Sequence, residues 1–327
     1  MEMPAFSWRT ESDERCQHRW TVLECSGGRS GEERLEAWIA PGRGSNLSRL
    51  AVDGRNVIDF TPELLAEELT GVPVLYPTPN RVRGCAFRYR GREYPQVKRG
   101  RPVYLHGLVH DEPWQSAGPR ISPDAISLLT WIDFEPGSAC FEAFPFRHRL
   151  SMQFELMPAG IRVSYTIESR DPQPIPFGFG LHPYFMKLAG AEGARVALPA
   201  RSVMEATPDL LPTGRLIPVE GTVFDLSQGA GVNQLDLDHV FTGIPEGKYA
   251  RVSYPGLAIQ MAASPDFSHL VLYTPPGQPY FCLENQTCST DAHNLHDRGF
   301  AQESGLKFVP PGEQHGGSVF YEVLRES

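Results

Sequence analysis

The stretches Met152-Gln153-Phe154-Glu155-Leu156 and Val163-Ser164-Tyr165-Thr166-Ile167 are the clearest indication of the fold class. In each stretch apolar and polar residues alternate, and side chains with a period of two point to opposite faces of a β-strand. Pro158-Ala159-Gly160, between the two stretches, is typical of a turn. The sequence therefore predicts neighbouring antiparallel strands that have one face packed against a core.

The same pattern extends outward along the chain. Strand-like runs cover Ala125 to Phe134, Phe146 to Leu156 and Ile161 to Ile167, and others follow up to Gly317 to Leu324. The 30 prolines and 31 glycines suit turns between short strands. Thr61 to Leu69 is the best helix candidate, and residues 286–305 look like a loop. We expect an all-β sandwich of mainly antiparallel strands with few short helices, built as one domain over residues 1–327.

Composition and charge limit the partners. The formal net charge is −9 and no block of Lys and Arg appears, which excludes nucleic acid and anionic membranes as expected partners. No apolar run reaches transmembrane length. The polar N-terminal stretch, residues 1–20, has no signal-peptide core, and the six cysteines are scattered without metal-ligand spacing. We expect a cytoplasmic protein with reduced thiols.

The stretch Gly178-Phe179-Gly180-Leu181-His182-Pro183-Tyr184-Phe185 interrupts the strands with small residues. Gly178 and Gly180 are expected to let a ligand or another group approach the backbone closely. Pro183 fixes the backbone directly after the histidine. The stretch indicates either a functional site or a core strand that carries one hydrogen-bonded histidine.

Five polar residues stand near the ends of strand-like runs among apolar neighbours: Arg81, His106, His182, Asp238 and Glu284. Each has a structural alternative. Arg81 would be an ion-pair partner, His106 would bond a carbonyl, Asp238 or Asp236 would be a turn residue, and Glu284 would be a solvated strand end. Phosphate-loop, nucleophile-elbow and zinc-protease motifs are absent, so we expect no cofactor and no metal.

Several short motifs together resemble the aldose 1-epimerase (galactose mutarotase) family. They occur in the family's order and cover roughly residues 76–315. They are Pro79-Asn80-Arg81-Val82, Leu105-His106-Gly107, Gly180-Leu181-His182-Pro183-Tyr184-Phe185, Leu237-Asp238-His239-Val240-Phe241 and Leu283-Glu284-Asn285-Gln286-Thr287. Each is weak alone, but five in order are a specific signal.

The resemblance implies a galactose-mutarotase-like β-supersandwich that interconverts the α and β anomers of a free hexose, such as glucose or galactose, as a monomer or homodimer. It implies that Glu284 is the general base on the anomeric hydroxyl and His182 the general acid on the ring oxygen. Substrate contacts are expected from Asn80, Arg81, His106, Asp238 and Trp114. Acid and base acting together suit ring opening, since each such group contributes roughly 10²–10⁴-fold in rate.

Two alternatives remain open on the same fold. One is a mutarotase for a hexose 6-phosphate, for which Arg83, Arg88 and Arg90 would supply a cationic cluster. The other is a non-catalytic carbohydrate-binding protein. Asn285 departs from the family pattern, because many members carry proline after the glutamate. This departure bears on which sugar is the substrate more than on the type of reaction.

Overall fold

The computed structural model describes residues 4–14, 18–27, 33–60, 69–188 and 193–325. Strands dominate these residues. They are β1 (Ala5–Asp13), β2 (His18–Ser26), β3 (Arg34–Ala40), β4 (Asn46–Val52), β5 (Arg55–Ile58), β6 (Val74–Leu75), β7 (Ala86–Tyr89), β8 (Arg92–Pro95), β9 (Val97–Lys98), β10 (Arg101–Pro102), β11 (Gln115–Ser116), β12 (Arg120–Ile121), β13 (Ile126–Phe134), β14 (His148–Met157), β15 (Gly160–Ser169), β16 (Ile175–Phe177), β17 (Gly180–Leu181), β18 (Tyr184–Met186), β19 (Arg195–Ala197), β20 (Ser202–Ala206), β21 (Pro212–Pro218), β22 (Ala230–Gly231), β23 (Asp238–Thr242), β24 (Ala250–Tyr254), β25 (Leu257–Ala263), β26 (His269–Tyr273), β27 (Tyr280–Gln286), β28 (Lys307–Val309) and β29 (Gln314–Arg325).

The helices in the described ranges are short. They are α1 (Ala139–Ala143), α2 (Ala292–Asp297) and α3 (Ala301–Ser304), together with the 3-10 turns Arg83–Cys85 and Val232–Gln234. The predicted loop over residues 286–305 is therefore partly wrong, because α2 and α3 lie within it. The predicted helix from Thr61 to Leu69 falls, apart from Leu69, outside the described residues.

Two large sheets form the body of the molecule. The first has the order β1-β2-β3-β4-β5-β18-β27-β26-β23-β20-β21, and β17 pairs with both β27 and β6. The second has the order β11-β13-β14-β15-β29-β25-β24-β19-β22, with β12 beside β13. Neighbouring strands within each sheet pair in the antiparallel direction, for example β14 with β15 and β26 with β27. The predicted all-β, mainly antiparallel class is confirmed.

One apolar core fills the space between the two sheets. Met152, Phe154 and Val163 of the second sheet belong to the same buried cluster as Phe281 and Leu283 of the first. Gln153, between two of them, is exposed, which confirms the alternation predicted for β14. The buried alternate residues of each sheet thus meet face to face, as in a β-sandwich.

Strand β27 lies inside the larger sheet and is buried along its whole length. Its apolar residues Phe281 and Leu283 face the core between the sheets. Because alternate side chains point to opposite faces, Cys282, Glu284 and Gln286 face the outer side of this sheet. The strand continues past Glu284 to Gln286, so Glu284 does not stand at the end of its strand.

Gly178 is required by packing within the chain. A Cβ atom at Gly178 would lie 2.3 Å from Cys288 Sγ and 2.7 Å from Pro79 Cδ. A Cβ atom at Gly180 would lie 3.1 Å from Gln286 Cγ. Of the two expectations for these glycines, close approach of another group is confirmed and close approach of a ligand is wrong, since side chains of the protein already occupy the space.

This crowding leads to a stability prediction. We expect Gly178→Ala to lower the free energy of unfolding by about 1–3 kcal/mol, because the added methyl group must displace Cys288 and a rigid proline ring. Urea denaturation measures the change. Gly118→Ala is the matched control, since a Cβ atom at Gly118 would meet no other atom within 4 Å. Equal stability of the two variants would contradict the packing role of Gly178.

Candidate active site

Six of the seven residues expected to contact a sugar line one cavity on the outer side of β27. The cavity has a volume of about 290 Å³, near the lower end of roughly 300–1,000 Å³ for ligand pockets. Its lining consists of Asn80, Arg81, His106, His182, Asp238 and Glu284, together with Leu69, Leu105, Tyr184, Tyr273 and Tyr280. Convergence of these polar groups, which are far apart in the sequence, makes this cavity the candidate active site.

Two loops on one side of the cavity hold each other in place. The backbone N–H of His106 donates to the carbonyl of Asn80 at 2.8 Å, and Arg81 pairs with Leu105 in an isolated β-bridge. Asn80 and His106 both have positive φ angles, 60° and 64°. Non-glycine residues in this region carry backbone strain, which is often found at functional sites. The strained loops present Arg81 and His106 to the cavity together.

His182 and Glu284 are in direct contact. Nε2 of His182 lies 3.2 Å from Oε1 of Glu284, and the two residues are only 4% and 2% exposed. The backbone N–H of His182 donates to the carbonyl of Pro73, directly before Pro183 and β18. The other carboxylate oxygen, Oε2 of Glu284, accepts a hydrogen bond of 2.7 Å from Gln286 Nε2. The structural alternative of a solvated glutamate at a strand end is wrong.

Burial shifts the pKa values of this pair in opposite directions. Burial, with a smaller contribution from Asp238, raises the pKa of Glu284 to about 8, against the lowering effects of Gln286 and Arg81. Burial lowers the pKa of His182 to about 3, and His110 adds to this. Near neutral pH these shifts favour a protonated carboxyl beside a neutral imidazole. That state has as many protons as the carboxylate–imidazolium pair, so proton transfer between the two residues interconverts them.

Arg81 is held by two neighbours. Its Nη2 lies 3.3 Å from Oδ2 of Asp238, and its Nη1 donates to Oδ1 of Asn80 at 3.0 Å. Both side chains of the ion pair remain partly exposed, at 21% for Arg81 and 28% for Asp238. The pair thus reaches the cavity and offers donors and acceptors to a ligand. Asp238 lines the cavity whereas Asp236 does not, so Asp238 is the candidate site aspartate.

His106 and three tyrosines complete the walls. The rings of His106 and His182 meet edge to face with centroids 4.9 Å apart, and burial holds the pKa of His106 well below its usual range. Tyr184 stacks on His182 at 4.8 Å and contacts Tyr280 at 5.0 Å. Flat aromatic rings beside polar groups suit a ligand with an apolar face and hydroxyl groups.

Tyr273 and Tyr280 were not among the predicted site residues. Tyr280 stands four positions before Glu284 in one strand, so the period of two places both on the same face. That signal was present in the sequence. Tyr273 pairs with Cys282 across β26 and β27, and this register is visible only in the folded sheet.

Trp114 does not join the other predicted residues. Its indole Nε1 donates to the carbonyl of Val109, and the side chain is buried in the core. It borders a different cavity, of about 530 Å³, beside Trp8, His18 and Pro41. The turn after His106 sends this part of the chain inward, since Leu108 and Val109 are fully buried.

Metal ligands and membrane-spanning helices can be assessed for residues 4–14, 18–27, 33–60, 69–188 and 193–325. There, His, Cys, Asp and Glu side chains form no group of three or more that could hold a metal ion. In the same part of the chain, no helix has the length and apolar character that crossing a membrane requires.

Comparison with known proteins matches the chain to a family model. The model of the aldose 1-epimerase family matches residues 33–322. An uncharacterized Escherichia coli (strain K12) protein, YihR, is 25% identical over 285 residues, which are 86% of this chain and 87% of that protein. The galactose mutarotase of Homo sapiens is 26% identical over 152 residues, 45% of this chain and 42% of the human protein.

A solved structure shows the same fold. The crystal structure of a galactose mutarotase-like protein from Clostridium acetobutylicum superimposes with a TM-score of 0.84 at 20% sequence identity. The superposition covers 98% of this chain and 99% of the other. The expected galactose-mutarotase-like β-supersandwich is therefore confirmed.

Proposed function

Since the chain belongs to the aldose 1-epimerase family, we propose that it is a mutarotase that interconverts the α and β anomers of a free hexose, such as glucose or galactose. The observation that carries this proposal is the contact of 3.2 Å between His182 and Glu284 inside a sugar-sized cavity. The relative from Homo sapiens with the name galactose mutarotase supports the substrate class.

The proposed reaction uses one base and one acid, which act on the two oxygens bonded to the anomeric carbon. Glu284, as carboxylate, removes the proton of the anomeric hydroxyl while protonated His182 donates its proton to the ring oxygen. The bond between C1 and the ring oxygen breaks, and O1 becomes the aldehyde oxygen. Rotation about C1–C2 followed by the reverse proton transfers gives the other anomer. Both oxygens are bonded to C1, so an adjacent acid and base match them.

The same contact argues against a glycosidase. Glycosidases place two carboxylates about 5–9.5 Å apart on either side of the bond that is broken. Here the partner of Glu284 at 3.2 Å is a histidine. The pair is arranged to transfer protons to and from two neighbouring oxygens.

The charges around the cavity favour a neutral substrate. Arg81 is the one Arg or Lys among the described residues that line it, and Arg81 is paired with Asp238. The three arginines considered for phosphate binding lie elsewhere. Arg83 pairs with Asp291, Arg88 with Glu93, and Arg90 lies over the ring of Tyr89. A phosphate group would therefore lack an available cation here, so we propose a free sugar over a hexose 6-phosphate.

Polarimetry tests this proposal. We expect purified protein to accelerate the change in optical rotation of fresh α-D-glucose or α-D-galactose, and NMR exchange spectroscopy to give the same rates. For hexose 6-phosphates we expect kcat/KM at least about tenfold lower, because a phosphate beside Asp238 finds no unpaired cation in the cavity.

Two results would change the assignment. Faster turnover of the 6-phosphate than of the free sugar would favour the phosphosugar alternative. Binding of free sugars by titration calorimetry without any acceleration would favour a non-catalytic carbohydrate-binding protein. Heat-denatured protein is the control for buffer catalysis of mutarotation.

A further inference from the structure

Gln286 is a fully buried amide beside the proposed base. It lies two positions after Glu284 on β27, and both side chains therefore project from the same face. Its Nε2 donates to Oε2 of Glu284 at 2.7 Å. Oε1 of the same carboxylate contacts His182. One oxygen of Glu284 is thus held by Gln286, while the other faces the proposed acid.

Gly180 leaves the space that the Gln286 side chain occupies. The two residues are directly opposite each other in the antiparallel pair of β17 and β27. A Cβ atom at Gly180 would approach Gln286 Cγ to 3.1 Å, and atoms of Leu75 to 3.5 Å. A distance of 3.1 Å is tighter than ordinary van der Waals contact, so a methyl group at this position must push Gln286 aside.

Two hydrogen bonds between the adjacent residues Phe179 and Thr287 fix the register that places Gly180 opposite Gln286. The backbone N–H of Phe179 donates to Oγ1 of Thr287 at 2.9 Å, and the backbone N–H of Thr287 donates to the carbonyl of Phe179 at 2.8 Å. These two bonds hold the strands in one alignment. The amide of Gln286 therefore has a defined position from which to orient Glu284.

We propose that Gln286 is a positioning residue that fixes Oε2 of Glu284 and thereby directs Oε1 toward His182 and the substrate, in the space that Gly180 provides. This inference rests on the proposed mutarotase function. It assigns a role to Gly180 within the sequence stretch that precedes His182. Gln286 does not line the cavity, so its effect on substrate passes through Glu284.

Gln286→Met tests the proposal, because methionine has similar length and volume but no N–H donor. The hydrogen bond from Gln286 lowers the pKa of Glu284, so its loss raises that pKa further. We expect kcat near neutral pH to fall about tenfold, with KM changed less than about threefold. The one-proton pair is the active form, and it loses this proton with the pKa of Glu284, so we expect the high-pH limb of the kcat profile to move to higher pH.

Gln96→Met is the matched control. Gln96 is also fully buried and its Nε2 donates to the carbonyl of Ala143 at 2.8 Å, but it does not line the cavity. This variant should lose stability and keep the wild-type pH profile. The proposal would be overturned by a folded Gln286→Met enzyme with wild-type kcat and pH profile, or by an equal shift in Gln96→Met.

A second variant covers the case in which Gln286→Met does not fold. Gly180→Ala displaces the amide but retains it, so we expect a shift of the pH profile in the same direction and smaller in size. In a protein that already carries Gln286→Ala, Gly180→Ala should not shift the pH profile further, because the amide that it displaces is absent. Independent, additive effects of these two changes would contradict the proposal.

Infrared titration of Glu284 gives a readout that needs no activity. The carboxyl C=O band that disappears in Glu284→Gln reports its protonation, and its midpoint should lie at higher pH in Gln286→Met than in wild type. If the wild-type protein were inactive on every aldose but this shift were present, the proposed function would fail and the positioning role would stand. An unchanged midpoint would overturn the positioning role itself.

Discussion

Glu284→Gln and His182→Asn are each expected to reduce kcat for mutarotation by roughly 10²–10⁴-fold, the range for loss of one general acid or base. Each substitution replaces a proton-transfer group by an amide of similar shape that does not titrate. Because the two groups act on oxygens of one carbon, removing both should cost little more than removing either. Polarimetry on the single and double variants measures all three rates.

Matched substitutions outside the cavity separate catalysis from folding. Glu112 is a buried carboxylate that pairs with Lys98 and Arg99, and His293 is a buried histidine whose Nε2 lies 3.1 Å from the carbonyl of Pro176. Glu112→Gln and His293→Asn should lose stability and keep most of their activity. Wild-type activity in a folded Glu284→Gln or His182→Asn enzyme would show that the proposed acid and base are misassigned.

The second large effect concerns stability as a function of pH. The pKa of Glu284 is raised from 4.5 to about 8 in the folded protein. The unfolded chain loses this proton first, so the contribution of Glu284 to stability is fully present below about pH 4.5 and is lost as the pH rises toward 8. Glu284→Gln should not show this loss. Its free energy of unfolding should therefore exceed that of wild type by on the order of a few kcal/mol as the pH rises between these limits.

His182 gives the opposite sign. Its pKa is lowered from 6.5 to about 3, so wild-type stability is lost as the pH falls from 6.5 toward 3. His182→Asn should therefore gain stability relative to wild type over that acidic window. Urea denaturation at about pH 5 and about pH 8 distinguishes the two variants. Parallel pH profiles for wild type and Glu284→Gln would contradict the burial of an ionisable carboxyl in the cavity.

The predicted site depended on motif order more than on spacing. Arg81, His106, Asp238 and Glu284 come from separate loops and strands, and nothing in their spacing requires them to meet. The family resemblance supplied that convergence, and the structure places them around one cavity. Alternation alone supplied the fold class, because a period of two depends only on neighbouring residues.

The errors have a common physical origin in contacts between distant segments. Gly178 and Gly180 resemble a ligand-binding pattern, but the atoms they accommodate belong to Cys288, Pro79 and Gln286. Trp114 stands near His106 in the sequence, yet its indole turns to Val109. Tyr273 enters the cavity through the register of β26 against β27. Each of these contacts is set by tertiary packing and leaves no local signal.

Strand β29 lies between β15 and β25 in the middle of the second sheet. During synthesis, the edges of β15 and β25 that pair with β29 have no partner until residues 314–325 have left the ribosome. The local meander β13–β14–β15 can assemble earlier, since short connections cost little loop entropy. Closure of the sheet is therefore a late, non-local step, and during this interval the nascent chain is most exposed to edge-to-edge aggregation and to chaperone binding.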